Sequence, residues 1–403
     1  MSALNMDKKV VARFAVLEGI YWGIMGSFGA FLVAWALNRG FSQSFVSILL
    51  VIYLVGGFTG QFVLSSLCDR LRTNKSVFIL GIILAGISQL GMYFAKNPLV
   101  FAIFYGCYGF SLGPMGSILD AWMVRMFCGD MNAYSSARGV GSIGYAVVTL
   151  IMGYVIGYFG YHLMPICSTI MVVLTLLIAF GTPDGKFVEG RQGGTANVSV
   201  KGVLSIMQIP TFFVVLVVLL LSSMSSAPIN NFKIMLLQSV GGDVTTQGLD
   251  SFVGCVVQFL VFESTVLFTR VPARVRFAAS ILLVAIALAV DYCAMHYWVV
   301  ILGTVFTNVS YGLIMPSVRE IAIEVVDAKY HTTAIGMMDA FYSFLGGAVA
   351  QLFAGRIAGT YGVKAMVMVC LILSLLPVLI LGTKQMAYKG KVRKRCVNKC
   401  QGC

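Results

Sequence analysis

Charge is scarce in this 403-residue chain: Asp, Glu, Lys and Arg make up 11% of it, against a hydrophobic fraction of 59%. So little charge cannot cover the surface of a water-soluble domain, in which about a quarter of the residues are ionisable. Acids are the scarcer sign, 15 against 28 bases. Histidine is limited to His162, His296 and His331, which stand near the ends of apolar runs and away from any serine or paired-aspartate motif. An intramembrane acyltransferase or protease is therefore not expected, and the chain is read as no enzyme. What it has in quantity is apolar sequence, with a mean hydropathy of +0.91. Runs such as 214–221 are apolar at every position, whereas strands of a membrane β-barrel alternate in polarity. At roughly 20 apolar residues per crossing plus connections, the length allows about twelve transmembrane helices and no soluble catalytic domain.

The spacing predicts spans over 14–37, 43–66, 76–95, 98–124, 134–159, 161–181, 208–232, 246–268, 277–294, 297–322, 330–355 and 362–382. The first apolar run is too long for a signal-peptide core and lacks a small-residue cleavage site, so it is read as a retained helix. With the N-terminus inside, 21 of the 28 bases fall in segments on the cytoplasmic side, from Lys8, Lys9 and Arg13 to seven in the tail. Five fall opposite, namely Arg39, Lys96, Lys233, Arg356 and Lys364. This bias predicts both termini in the cytoplasm. The net charge of +13 is thus topology, with lipid headgroups as partners, and not a nucleic-acid surface. The chain is read as a multi-pass protein of the plasma (inner) membrane.

Between Gly181 and Met207 the apolar pattern stops, and Gly, Pro, Thr and mixed charge replace it. The expected organisation is a six-helix bundle over 1–181, a cytoplasmic linker over 182–207, a second six-helix bundle over 208–383, and a basic, cysteine-containing tail over 384–403. The bundles repeat. Gly144, Gly153, Gly157 and Gly160 match Gly346, Gly355, Gly359 and Gly362 at a constant offset of 202, and Arg72 matches Arg274 at the same offset. Within one residue of it, Tyr108-Gly109 matches Tyr311-Gly312.

Two similar bundles around a flexible linker suit a rocker-switch transporter, and the chain resembles the major facilitator superfamily over its whole length. The loop SSLCDRLRTNK after span two is similar to that superfamily's G-x-x-x-D-R-x-G-R-R loop, with Asp69, Arg70 and Arg72 matching as the gating loop and Ser65 in place of the first Gly. The segment ARGVGSIGYAV, from Ala137 to Val147, resembles span five of the branch of lactose permease, nucleoside–proton symporters and phenylpropionate permeases. The resemblance implies an all-α membrane protein of twelve helices in two bundles, the major facilitator fold.

A charge at the middle of a membrane helix costs about 2.5 to 3.5 kcal/mol on insertion scales, so each needs a partner or a function. Glu18, Asp120, Arg138, Glu263, Glu320 and Asp339 fall in spans one, four, five, eight, ten and eleven. Asp120 and Arg138 lie on helices joined by a short turn and can pair, either as a bolt between the helices or as a substrate clamp in a central cavity. Resemblance to lactose permease, with an acid in span four, an Arg in span five and an acid in span eight, implies that Asp120, Arg138 and Glu263 bind substrate. Gln258 lies five residues before Glu263 and about 140° away around the helix. Proton coupling needs a desolvated carboxyl, for which Asp339, Glu320 and Glu18 are candidates. Glu320, beside Arg319 and near Glu324, also fits an ion pair at a helix end. Asp339 falls one residue from the repeat counterpart of Arg138.

Aromatic platforms for a ring are expected from Tyr21, Trp22 and Trp122, although membrane tryptophans are often interfacial anchors. Asn230 and Asn231 follow Pro228 in span seven, where a broken helix would offer polar groups to the cavity. Tyr108, Tyr311 and Asn308 are weaker candidates. Cys68, Cys107, Cys128, Cys167, Cys255, Cys293 and Cys370 lie in or beside spans and are read as packing residues; Cys396, Cys400 and Cys403 belong to a solvated tail open to palmitoylation. No cofactor or metal is required. The expectation is a monomeric secondary transporter whose partners are protons, lipids and a small-molecule substrate. It is read as a proton-coupled symporter importing a sugar or nucleoside by alternating access. The alternatives are import of an aromatic acid or drug efflux by proton antiport.

Overall fold

The computed structural model describes residues 8–128, 130–184, 205–264, 271–327 and 330–400, with 131, 132, 332 and 383–400 described by backbone alone. Among these residues there is no strand, and twelve helical segments are long and apolar enough to cross a membrane. Helix is what hydrocarbon demands, because every N–H and C=O must bond within its own segment. Spans one to six are Lys8–Asn38, Gln43–Leu71, Lys75–Phe94, Pro98–Met126, Ala133–Phe159 and Leu163–Gly181. Spans seven to twelve are Pro210–Asn231, Val244–Glu263, Ala273–Cys293, Tyr297–Val325, Thr333–Tyr361 and Val363–Gly382. Span eight stops at Glu263, five residues before the end expected from hydropathy. The last helix runs on to Cys400 in its backbone, through what the sequence suggested was an unfolded tail. Most of the linker, and the side chains of Cys396 and Cys400 with all of Cys403, lie outside the described residues.

The even-numbered and odd-numbered turns fall at opposite ends of the molecule, here called the linker end and the far end. Far-end turns are short and locally coded. Ser42 accepts from the Phe45 N–H, Asn97 from the Leu99 N–H, and Asp243 and Thr246 exchange bonds in a capping box. Gly160 and Gly362, a pair in the 202-residue repeat, both take φ of +88°, which a side chain would disfavour.

The repeat extends to the helix breaks. Span one is interrupted by a tight turn at Gly29–Phe31, and span seven gives way at Phe232 to a short helix, Lys233–Ser239. Pro114 separates Pro98–Leu112 from Met115–Met126 in span four, while its counterpart Pro316 lies inside an unbroken span ten. Span eleven contains a wide π turn over Ala340–Leu345.

Aromatic residues dominate the core of the first half, where Phe14, Phe28, Phe31, Phe78, Phe101, Tyr105, Tyr108 and Trp122 are buried together. A second cluster joins the halves at the far end: Val33, Ala36, Val46 and Leu50 pack with Ile229, Phe232, Leu236, Ala354 and Ala358. Small residues permit this approach. A Cβ on Gly248 would lie 2.7 Å from the Thr149 carbonyl oxygen and 2.9 Å from the Gly153 Cα; one on Gly355 would lie 2.1 Å from the Ser47 hydroxyl. Spans five and eight, and spans two and eleven, therefore touch at backbone level at the far end. Towards the linker end, Phe62, Phe262 and Glu263 are exposed.

Gly248→Leu is expected to wedge spans five and eight apart at the far end. With Asn230→Cys as reporter in a background freed of reactive cysteines, labelling by an impermeant maleimide from the far side should rise severalfold. Unchanged labelling would show that this contact is not the seal.

Candidate functional site

Between the halves lies a cavity of about 580 Å³. Spans one and five supply Trp22, Met25, Arg138, Ser142 and Tyr145; the opposite wall carries Asn230, Asn231 and Lys233, then Gln247, Asp250 and Gln258, then Thr304, Asn308 and Tyr311. The break in span seven places Asn230, Asn231 and Lys233 on this wall, at the point where the chain changes direction.

Arg138 is the centre of the first wall. Its Nη1 lies 3.6 Å from Glu18 Oε2 and its Nε 3.4 Å from Asp120 Oδ1. The guanidinium carbon sits 4.7 Å from the centre of the Trp22 ring. Glu18 is fully buried, whereas Arg138 and Asp120 keep about a third of their side-chain surface, 32% and 33%. Glycines make the arrangement possible. A Cβ at Gly144 would lie 2.3 Å from the Gly19 carbonyl oxygen, so spans one and five cross in close contact. A Cβ at Gly141 would lie 2.7 Å from both Glu18 Oε2 and Trp22 Cδ1. The run ARGVGSIGYAV thus seats an arginine against an acid and an indole on the neighbouring helix. At these distances the guanidinium has ion-pair partners but retains N–H donors for a solute, since an arginine carries five.

A second charged cluster forms part of the opposite wall. Lys233 Nζ lies 3.6 Å from Asp291 Oδ2, and Asp250 accepts a 2.5 Å hydrogen bond from the Thr304 hydroxyl. Sequence reasoning missed these residues: Lys233 was counted among cations of the far-side loops, and the two aspartates were passed over. The available signal was an acid inside a long apolar run, IALAVDYC around Asp291 and GLDSFVGCVV around Asp250. Gln247 spans the halves by donating to the Ala30 carbonyl at 2.9 Å.

Of the expected site residues, Trp22, Arg138, Asn230 and Asn231 line the cavity, and Glu18 and Asp120 flank Arg138. Tyr311 and Asn308 also line it, while Tyr108 is buried in the first-half core. Three expectations need correction. Trp122 is fully buried, packed edge-on against Phe14, with its indole N–H donating to the Pro183 carbonyl; it cannot reach a solute. Tyr21 is 3% exposed against Phe78, one residue out of register with the cavity. Glu263 is the exposed last residue of its helix and does not line the cavity, because span eight ends where more membrane-spanning helix was expected. Span eight instead offers Asp250 and Gln258.

The coupling candidates separate. Glu320 is half exposed and ion-paired to Arg276, while Glu324 pairs with Arg274 at 2.7 Å, so a helix-end salt bridge describes Glu320 and the burial a coupling acid needs is missing. Asp339 shares with Arg319 the lining of a narrow void of about 10 Å³, apart from the central cavity. Asp69 and Arg70 are exposed at the end of span two, and Arg72 takes a left-handed backbone conformation, φ 53°, as the loop turns. Lys75 holds this loop to the end of span six through the Phe180 and Thr182 carbonyls, both at 2.8 Å. Arg39, another residue expected in a far-side loop, donates to the Met92 and Ala95 carbonyls at 2.6 and 2.5 Å and lies over the Trp35 and Phe101 rings, tying span one to span three.

Solved structures share this architecture. The nucleoside transporter NupG superposes with a TM-score of 0.82 at 12% identity, over 94% of this chain and 99% of that one. A bacterial homologue of the human lysosomal transporter Spinster, inward-facing and unoccupied, gives 0.68 at 12% identity, over 94% and 97%. A D-xylose–proton symporter gives 0.70 at 11% identity, over 93% and 97%. No curated protein matches the chain at the sequence level. The fold is that of a multi-pass membrane protein. A model of the MFS_1-like family matches residues 15–377, and with nearly the whole chain accounted for, the protein belongs to that family of the major facilitator superfamily.

Proposed function

We propose that the chain is a proton-coupled symporter importing a small hydroxylated solute, a nucleoside or a sugar, by alternating access. The observation that carries this is the central cavity with Arg138, held between Glu18 and Asp120, facing amides of the other half. Its volume of about 580 Å³ falls within the usual range for small-molecule sites, roughly 300–1,000 Å³. Hydroxyl groups need partners that both donate and accept, and Asn230, Asn231, Gln258 and Asn308 offer both. The Trp22 ring gives a flat surface for a base or a pyranose face. NupG and the D-xylose–proton symporter carry solutes of this kind by name, which supports the choice.

An aromatic acid fits less well. Arg138 already faces two carboxylates, and a third anion would meet their repulsion. The polar lining also disfavours an efflux pump for apolar drugs. With the far end sealed and both termini assigned to the cytoplasm by the distribution of basic residues, the conformation is the one that opens inward. Glu18, buried against Arg138, and Asp339, beside Arg319, are the coupling acids of this proposal. The Asp69–Arg70–Arg72 loop is its gating element.

Purified protein in liposomes should accumulate labelled uridine or xylose when the outside is acidic. One proton moving inward across about 100 mV supplies about 2.3 kcal/mol, a limit of roughly fiftyfold accumulation. Uptake of a solute indifferent to the proton gradient would remove the coupling, and failure to carry any nucleoside or sugar would remove the substrate class. Arg138→Ala should weaken binding at least tenfold, about 1.4 kcal/mol, with a thermal midpoint within a few degrees of the parent. Trp22→Ala should weaken it similarly, whereas Trp122→Phe should leave affinity within about twofold. Equal losses at both tryptophans would relocate the site.

A further inference from the structure

The wall opposite Arg138 repeats its charge pattern of one base between two acids, with different residues and no counterpart in the repeat. Lys233 begins the short helix after the break in span seven, Asp250 lies in span eight, and Asp291 stands near the end of span nine. Their relative exposures are 6%, 4% and 1%. Lys233 and Asp250 line the cavity; Asp291 lies behind them, 3.6 Å from the ammonium. Asp291 Oδ1 is buried with no hydrogen-bond partner, in space that exists only because residue 303 is glycine, where a Cβ would come within 2.2 Å of that oxygen.

One lysine cannot neutralise two aspartates. With all three ionised, the cluster would hold an uncompensated negative charge almost without solvent, at a cost of several kcal/mol per buried ion. Groups in that position neutralise instead. A metal cation would have to displace the ammonium beside Asp291, and among the described residues no set of three His, Cys, Asp or Glu could hold one. A single proton balances the cluster.

We propose that Asp250, Lys233 and Asp291 form a proton-binding site at the far end of the cavity, and that Lys233 exchanges between the two acids as the proton comes and goes. A proton taken from cavity water onto Asp291 releases the ammonium towards Asp250 and draws the helix Lys233–Ser239 against span eight. Loss of that proton to the cavity returns Lys233 to Asp291, while the Thr304 hydroxyl supports Asp250. The other ionisable groups facing the cluster are Tyr145, across the cavity on span five, and Cys255, five residues beyond Asp250 on span eight. Near the end of span nine, the Lys364 ammonium is engaged by the Ala294 carbonyl at 3.0 Å, and His296 precedes the start of span ten. The consequence for transport rests on the symporter proposed above; the proton site itself does not.

Infrared titration of the full-length protein in lipid tests the site without any solute. The carbonyl band of a protonated, buried carboxyl should disappear as pH is raised, and Asp291→Asn should remove one proton's worth of it. If Asp291→Asn fails to fold, the neutral pair Lys233→Met with Asp291→Asn should fold and lack the same band. A band unchanged in these variants and in Asp250→Asn would overturn the proposal. In liposomes, Asp291→Asn should continue to exchange labelled uridine or xylose but should lower gradient-driven accumulation severalfold even though Glu18 and Asp339 remain; full accumulation would overturn the part given to this site in transport. Should the parent carry no solute while the band titrates and vanishes in Asp291→Asn, the transport reading fails and the proton site stands.

Discussion

A guanidinium cannot lie inside a bilayer without company, and the arrangement of the first half follows from how Arg138 is accompanied. Two acids and an indole surround it, from spans one and four. To bring them there, span five must cross span one with backbone nearly touching backbone at Gly144 and Gly19, and residue 141 must be glycine to leave room for the Glu18 carboxylate and the Trp22 ring. Charge and packing are therefore one constraint. The same helix continues to the far end, where Gly153 meets Gly248 of the other half, so the residues that hold the ion pairs and those that close the cavity lie on a single rigid element.

The two halves solve the burial of charge differently. In the first half the charges border the cavity, and Arg138 and Asp120 remain partly solvated. In the second half Lys233, Asp250 and Asp291 are nearly dry, and their third member is shielded from the cavity by the other two. The asymmetry arises within a repeat that keeps the far-end glycine turns at 160 and 362 and the breaks in spans one and seven in register. Fold symmetry is kept where helices must pack; it is abandoned where side chains meet solute or protons.

The fold was readable because hydrocarbon is a severe judge of sequence. Twelve apolar runs, an offset of 202 shared by glycines, and a polar stretch in the middle leave few architectures. The pair Asp120–Arg138 was readable too, since an arginine in an apolar segment has to be explained, but Glu18 as its second partner was not. The failures share a cause. Hydropathy cannot say on which side of a helix a residue lies, so Tyr21 and Trp22 looked equivalent although one faces the core and the other the cavity. Nor can it fix a helix end, so Glu263 was placed within the membrane when it closes its helix, and Lys233 was placed in a loop when it opens one. Trp122 differs again, since its burial depends on Phe14 and Phe78 from distant positions in the chain.

The far-end turns carry a mechanical implication. The Gly160 and Gly362 connections have no slack, because a left-handed glycine between two helices cannot be stretched without unwinding one of them. Helices five and six, and helices eleven and twelve, must then tilt as stiff forks hinged at the far end. Any rocking of one half against the other would be transmitted undiminished along each prong, and a motion of small amplitude at the sealed end would become a wide displacement where the chain's basic residues are gathered.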